Sequence, residues 1–304
     1  MTNHENWMGN LPDKFHNMPL NKIAIPGSHN SSSSTLKKSN NISPDQPSAI
    51  KNLGTFVKPI VYNWSVCQDK SITDQLKLGI RYLDIRVCTN GNTDELFTFH
   101  GLFSQTIESL LIEVREFLEN HSKEVVFLDF NHFCEVSNDQ HEKLVKMIED
   151  YMNPFISVSN YTIESICLNG LWEKKIQALV FYQSEKVKNC KFLTRNSIIS
   201  PWANTEEFEE LLPYLQIMLE DDSRKDRFHV CQMILTPKTD TVLKGLLSNL
   251  RSKMCTPYFE KMINWMNDQY TGYDHGLNIV IRDFIDEQFT DKVVKLNYEK
   301  CLYE

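Results

Sequence analysis

Gly79–Leu102, GIRYLDIRVCTNGNTDELFTFHGL, holds two short apolar runs, each delivering a residue with chemical capability. In the first, Ile80–Val87, the β-branched and aromatic content favours a strand, and Asp84 and Arg86 stand two apart. Side chains alternate along a strand, so this carboxylate and this guanidinium leave the same face. A turn at Thr89-Asn90-Gly91-Asn92 follows, then a second run, Leu96-Phe97-Thr98-Phe99, which ends in His100 and Gly101. Were the two strands parallel neighbours in a barrel, Asp84, Arg86 and His100 would surround one mouth, where barrel proteins carry out chemistry.

Outward from this stretch the alternation continues. Lys22–Ile25 is an apolar run closed by Pro26-Gly27 and followed at once by Ser28, His29 and Asn30. Further strands are expected at 124–130, 176–182, 228–235 and 277–282, the last ending at Asp283, with Ser197–Trp202 as an eighth. Between them helices are expected at 71–78, 106–118, 139–152, 206–219, 257–270 and 291–300; Ile107, Leu110, Leu111, Val114, Phe117 and Leu118 show the clearest helical spacing. Seven or eight strands alternating with helices predict an α/β fold, a single irregular TIM-type barrel, over 1–304 as one domain. No Gly-rich turn follows the first strand, as a dinucleotide-binding sheet would require. Residues 1–21 read as a polar opening segment with Trp7 as an anchor. The Ser/Asn/Pro-rich stretch at about 31–54 reads as a flexible insertion or lid, since it is too long for an ordinary connection.

The composition narrows the class. A chain of 304 residues, 41% apolar and 24% charged, can bury a large core. Its net charge of −8, without a basic stripe, argues against nucleic acid as a partner and against bulk adsorption to an anionic membrane. The eight cysteines are scattered, with no C-x-x-C pair and no metal-ligand spacing. With no signal sequence and no apolar run of membrane-spanning length, a reduced cytoplasmic setting is expected, peripheral at membranes if at all.

His29 follows the first strand, His100 the third and Asp283 the last. A closed barrel makes its first and last strands neighbours, so Asp283 can reach His29 and orient it as a general base, with His100 opposite as the acid. Arg86 would supply a fixed charge whose planar fork suits phosphate. A base, an acid and an arginine, without a nucleophilic Ser or Cys, suit attack by a hydroxyl on phosphorus. Each residue also has a plain structural reading. A histidine at a strand end is usually a hydrogen-bonded loop residue, Asp84 with Arg86 could be a salt bridge, and Asp283 could cap a turn. His132 competes with His100 for the acid role, and His229, early in its strand, reads as structural.

Further pieces resemble a known family. Asn6-Trp7-Met8, Ile25-Pro26-Gly27-Ser28-His29, Trp64-Ser65-Val66 with Gln68, Thr73–Leu76, Gly79–Arg86, His100, Glu124-Val125-Val126 and Asn278–Asp283 resemble, in order, the X-domain of phosphatidylinositol-specific phospholipases C. The X-domain-only proteins and the compact bacterial enzymes share these pieces; the resemblance thins from about 160 to 275. It implies cleavage of the glycerol–phosphate bond of phosphatidylinositol-type lipids at a membrane surface, with no cofactor. His29 would take the inositol 2-hydroxyl proton, Asp283 would support it, and His100 would protonate the diacylglycerol oxygen. Arg86 falls where the bacterial enzymes bind phosphate and the calcium-dependent ones place an acidic ligand, so no metal is expected; Phe130 is taken to point the same way. Asn30 replaces the Asp of the bacterial forms, a loss of charge expected to loosen Arg86. With no arginine near Phe181-Tyr182, Trp202 or Tyr182 would stack on the sugar. The alternatives are a catalytically weak phosphoinositide-binding barrel and a metal-assisted glycerophosphodiesterase.

Overall fold

Nine strands form one mixed sheet in the computed structural model, which describes residues 4–46, 57–91, 94–156, 162–187 and 192–302. They are β1 (Ile25–Ser28), β2 (Tyr82–Thr89), β3 (Leu96–His100), β4 (Leu102–Thr106), β5 (Val126–Cys134), β6 (Ala178–Tyr182), β7 (Ile198–Ile199), β8 (Phe228–Gln232) and β9 (Ile279–Arg282). Seven run parallel in the order β7-β8-β9-β1-β2-β5-β6. Among the described residues no strand pairing joins β6 to β7. The sheet is nevertheless curled on itself: Phe228 of β8 meets Phe127 of β5 and Phe181 of β6 edge-on, each at 5.4 Å between ring centroids. Rings from opposite ends of the strand order touch only if the sheet wraps round a shared interior, so this is an irregular TIM-type α/β barrel.

The period-2 pattern divides each strand between two apolar layers. Tyr82, Phe127, Leu179, Phe181, Phe228 and Ile281 fill the barrel, with Trp7, Met8 and Phe15 of the opening segment closing its amino-terminal end. Leu83, Ile85, Leu128, Phe130, Val180 and Tyr182 face outward onto the helices. The helix Ile107–Asn120, capped by the Thr106 side chain, buries the six apolar positions its spacing predicts. Below the barrel Arg81 and Glu124 form a buried ion pair, Nε to Oε2 at 2.8 Å, with the remaining guanidinium donors on the carbonyls of Leu76, Ile80, His4 and Glu5. Removing either partner would strand a buried charge, at a cost of about 3–5 kcal/mol.

Several expectations are corrected. The first strand does not stop before Pro26-Gly27 but runs through them to Ser28. Gly27 permits this, since a Cβ there would sit 2.8 Å from Ile281 and 2.9 Å from Tyr82. β3 is antiparallel to β2, because six residues between them suffice for a hairpin but not for a crossover. β4, absent from the sequence reading, completes that hairpin after Gly101, whose φ of +69° makes the turn. The stretch expected as a lid or flexible insertion starts as packed structure. Ser31–Thr35 is a short 3-10 helix with Ser31, Ser32 and Ser33 buried, and Ser43 N–H bonds the Gly101 carbonyl; residues 47–56 lie outside the described ones. The eighth strand shrinks to Ile198–Ile199.

Candidate active site

β1 and β9 pair in register, Ser28 beside Arg282, so the next residues, His29 and Asp283, emerge side by side. His29 Nδ1 lies 2.6 Å from Asp283 Oδ1. Around the other nitrogen are two donors, Asn30 Nδ2 at 2.9 Å and Arg86 Nη2 at 3.4 Å from Nε2. A carboxylate on one side and two donors on the other assign the tautomer: Nδ1 carries the proton, and Nε2 presents a lone pair. Gln68 fixes the strand ends, its amide donating to the carbonyls of His29 at 2.9 Å and Arg282 at 3.0 Å.

His100 reaches the site by another route. The hairpin folds β3 back along β2, which sets the His100 ring 6.1 Å from that of His29, centroid to centroid. Its Nδ1 lies 2.7 Å from the Ser65 carbonyl, so Nδ1 is the protonated nitrogen and Nε2 is free for proton exchange. Desolvation first, then the positive charge of Arg86 and the proximity of the His29 ring, depress its pKa to about 4. His132, exposed beyond the β5 bulge, pairs in register with Arg86, is tilted against Phe99 at 5.8 Å and lines the same cavity as His29 and His100. His229 is buried in β8 and held at about 3 by burial and then Arg224, a neutral packing residue.

Asp84 holds the frame. Its Oδ2 accepts the Asn30 N–H at 2.7 Å, and its Oδ1 accepts from Asn131 Nδ2 at 2.7 Å. Burial would raise this carboxyl, but Arg86, His29 and those two donors outweigh it and keep the group below its usual range. Asp84 is therefore the anion that balances Arg86. Residue 30 acts on the imidazole instead. Asn30 adopts the left-handed conformation, φ 42°, and its amide bridges His29 and the Cys67 sulfur, 3.5 Å away. The serines after it brace the site, Ser31 Oγ accepting the Asp84 N–H and Ser33 Oγ those of Cys67 and Gln68.

The parity of β5 and β6 overturns two assignments. Tyr182, expected against substrate, faces the helices with its hydroxyl 2.6 Å from His141 Nδ1. Phe130 also faces outward, so it says nothing about metal ligands. The inward residues are Asp129, Asn131 and Gln183, which alternation from Phe127 and Phe181 would have found. Asp129 accepts from Tyr82 Oη at 2.5 Å and Gln183 Nε2 at 2.7 Å, and burial pushes it up to about 6. Trp202 stands at the mouth, half exposed, its indole N–H on Thr236.

These groups open into a cavity of about 690 Å³ whose outer wall includes Trp64, Trp202, Ile234, Leu235, Pro237 and Leu250, a volume fit for a small polar ligand or headgroup. His29, Cys67 and Asp283 bring three ligand atoms within 4.8 Å of one another. Cys67 Sγ is also 3.6 Å from His100 Nδ1, and burial, then the Asp283 charge, push its thiol well above its ordinary range.

A family model, Phosphatidylinositol-specific phospholipase C, X domain, matches residues 60–181. PI-PLC X domain-containing protein 3 of Danio rerio is 39% identical over 303 residues, 97% of this chain and 94% of that one. Its Homo sapiens counterpart is 39% identical over 300 residues, covering 96% and 93%. In fold the chain is similar to the phosphatidylinositol-specific phospholipase C from Listeria monocytogenes, with TM-score 0.64, 19% identity and coverage of 97% and 99%. The Staphylococcus aureus enzyme gives 0.62 and 17%, covering 96% and 97%.

Proposed function

This chain belongs to the phosphatidylinositol-specific phospholipase C X-domain family, and from that premise we propose that it is a phosphodiesterase cleaving the glycerol–phosphate bond of phosphatidylinositol-type lipids by general acid–base catalysis without a metal. The observation that carries this reading is the His29–Asp283 pair at 2.6 Å facing His100 across 6.1 Å, with Arg86 beside the lone pair of His29. In this scheme His29 Nε2 takes the proton of the inositol 2-hydroxyl, displacing the Asn30 and Arg86 donors. The freed oxygen attacks phosphorus, closing a cyclic phosphate. Arg86 binds the phosphoryl oxygens and stabilises their developing charge, and His100, once protonated, gives its proton to the departing diacylglycerol oxygen. A binding-only reading draws support from His100, which is neutral at pH 7 when the site is empty of anion.

Purified protein on phosphatidylinositol vesicles with EDTA decides. Turnover that persists with chelator and disappears in His29→Ala and His100→Ala is the expected result; binding without turnover, or dependence on Mg²⁺, would overturn it.

Access to lipid at a cytoplasmic membrane surface fits the rim. No helix among the described residues is long and apolar enough to cross a membrane. The helix Thr239–Lys244 buries none of its residues, and Leu243, Leu246 and Leu247 are exposed, Leu247 completely. Trp64, in the cavity wall, fixes this segment by donating to the Gly245 carbonyl at 3.3 Å. Placing one leucine into lipid is worth about 1.5–3 kcal/mol, so Leu247→Glu should cut vesicle hydrolysis about tenfold or more. Hydrolysis of a monomeric short-chain substrate should be unchanged. Equal losses on both substrates would remove this segment from the membrane contact.

A further inference from the structure

The acid–base scheme uses no sulfur, yet a thiol lies among its groups. Cys67 is fully buried, and its Sγ sits 3.5 Å from Asn30 Nδ2 and 3.6 Å from His100 Nδ1. One atom each from His29, Cys67 and Asp283 lie within 4.8 Å of one another. A second buried thiol, Cys255, lies 3.8 Å from Asp283 Oδ2. We propose that His29, Cys67 and Asp283 form an inhibitory site for a soft divalent cation of the Zn²⁺ or Cd²⁺ class, which shuts the enzyme off by occupying its general base.

The donor chemistry selects the ion. One imidazole, one carboxylate and one thiol that binds as thiolate suit Zn²⁺ and Cd²⁺, whereas Ca²⁺ and Mg²⁺ require mostly oxygen ligands. Bonds of about 2.0–2.3 Å place tetrahedral ligands about 3.3–3.8 Å apart. Side-chain rotation covers the difference from the present spacing, provided the His29–Asp283 hydrogen bond opens.

The charge also balances. Binding releases the thiol proton, and thiolate and carboxylate then neutralise the dication, so the occupied site is neutral overall, one charge more positive than the empty site, and sets no excess cation beside Arg86. Cys255 or water can take the fourth position. The ion holds both members of the His29–Asp283 pair, so neither proton abstraction nor its support survives. This site differs from a calcium centre that assists catalysis: its ligands are the base and its partner, and its occupation opposes turnover.

Inhibition rests on the catalytic reading given above, but binding does not, and the test separates them. In Cd²⁺ titrations of the full chain, the thiolate-to-metal ultraviolet band should contain one saturable equivalent that is absent from both Cys67→Ser and Cys67→Ala. His29→Ala keeps every thiol and should weaken that equivalent about 100-fold or more, since loss of even an outer partner costs 10–100-fold. On phosphatidylinositol vesicles, micromolar Zn²⁺ should stop wild-type turnover and EDTA should restore it. Cys67→Ser, measured against its own uninhibited rate, should need at least about tenfold more Zn²⁺. A band equivalent unaffected by Cys67→Ser or by His29→Ala overturns the site. So does equal inhibition of wild type and Cys67→Ser. A protein that shows the Cd²⁺ band but never cleaves the lipid retains the metal site and refutes the phosphodiesterase.

Discussion

Asp283→Asn is expected to lower turnover of phosphatidylinositol about 10⁴-fold, as loss of the orienting carboxylate does in other histidine–aspartate pairs. The cause is tautomeric. Asp283 accepts the Nδ1 proton of His29 at 2.6 Å, which leaves the lone pair on Nε2, toward Arg86 and the pocket. Asparagine can turn an N–H toward Nδ1 instead, driving the proton onto Nε2 and removing the base from the side that meets substrate. The loss should therefore fall on kcat rather than KM. His29→Ala should cost as much, and the double variant little more, because the two residues act as a unit. A loss below about tenfold in Asp283→Asn would mean that His29 is not the base.

His100→Ala should cost about 10²–10⁴-fold on the natural lipid, whose alkoxide leaving group needs a proton. With an aryl phosphodiester, whose phenolate leaves unaided, the loss should shrink to about tenfold or less. Equal losses on both substrates would make His100 a packing or binding residue. The same residue predicts a pH dependence. In the free site its pKa is about 4, set by desolvation, by the charge of Arg86 and by the neighbouring His29 ring. A bound phosphodiester anion favours the protonated ring and raises that value, so binding takes up a proton. Affinity for an unreactive phosphodiester analogue, which does not itself titrate, should rise as pH is lowered from 7 toward 4, by up to about tenfold per pH unit. Calorimetry at pH 7 and pH 5 measures this, and the slope should vanish in His100→Ala.

Trp7 behaves as the sequence suggests, its indole N–H bonding the Gly79 carbonyl at 2.9 Å, and Asp84 and Arg86 share a face as their spacing requires. Alternation also carried the answer for Asp129, Asn131 and Gln183, but a strand buried on both sides offers two apolar faces. Only the curl of the sheet says which of Phe127 and Phe130 points inward.

From the residues alone came the alternation of strands and helices, the adjacency of His29 and Asp283 and the fork of Arg86, because each depends on local periodicity or on the closure of one parallel sheet. The folded chain decided the rest. A hairpin of six connecting residues returns His100 to the mouth, Asp84 rather than residue 30 balances Arg86, Tyr182 is turned away, and Cys67 is set between Asn30 and His100. Apart from the hairpin, which its short connection imposes, these depend on contacts between segments tens to hundreds of residues apart, whose partners no local pattern encodes.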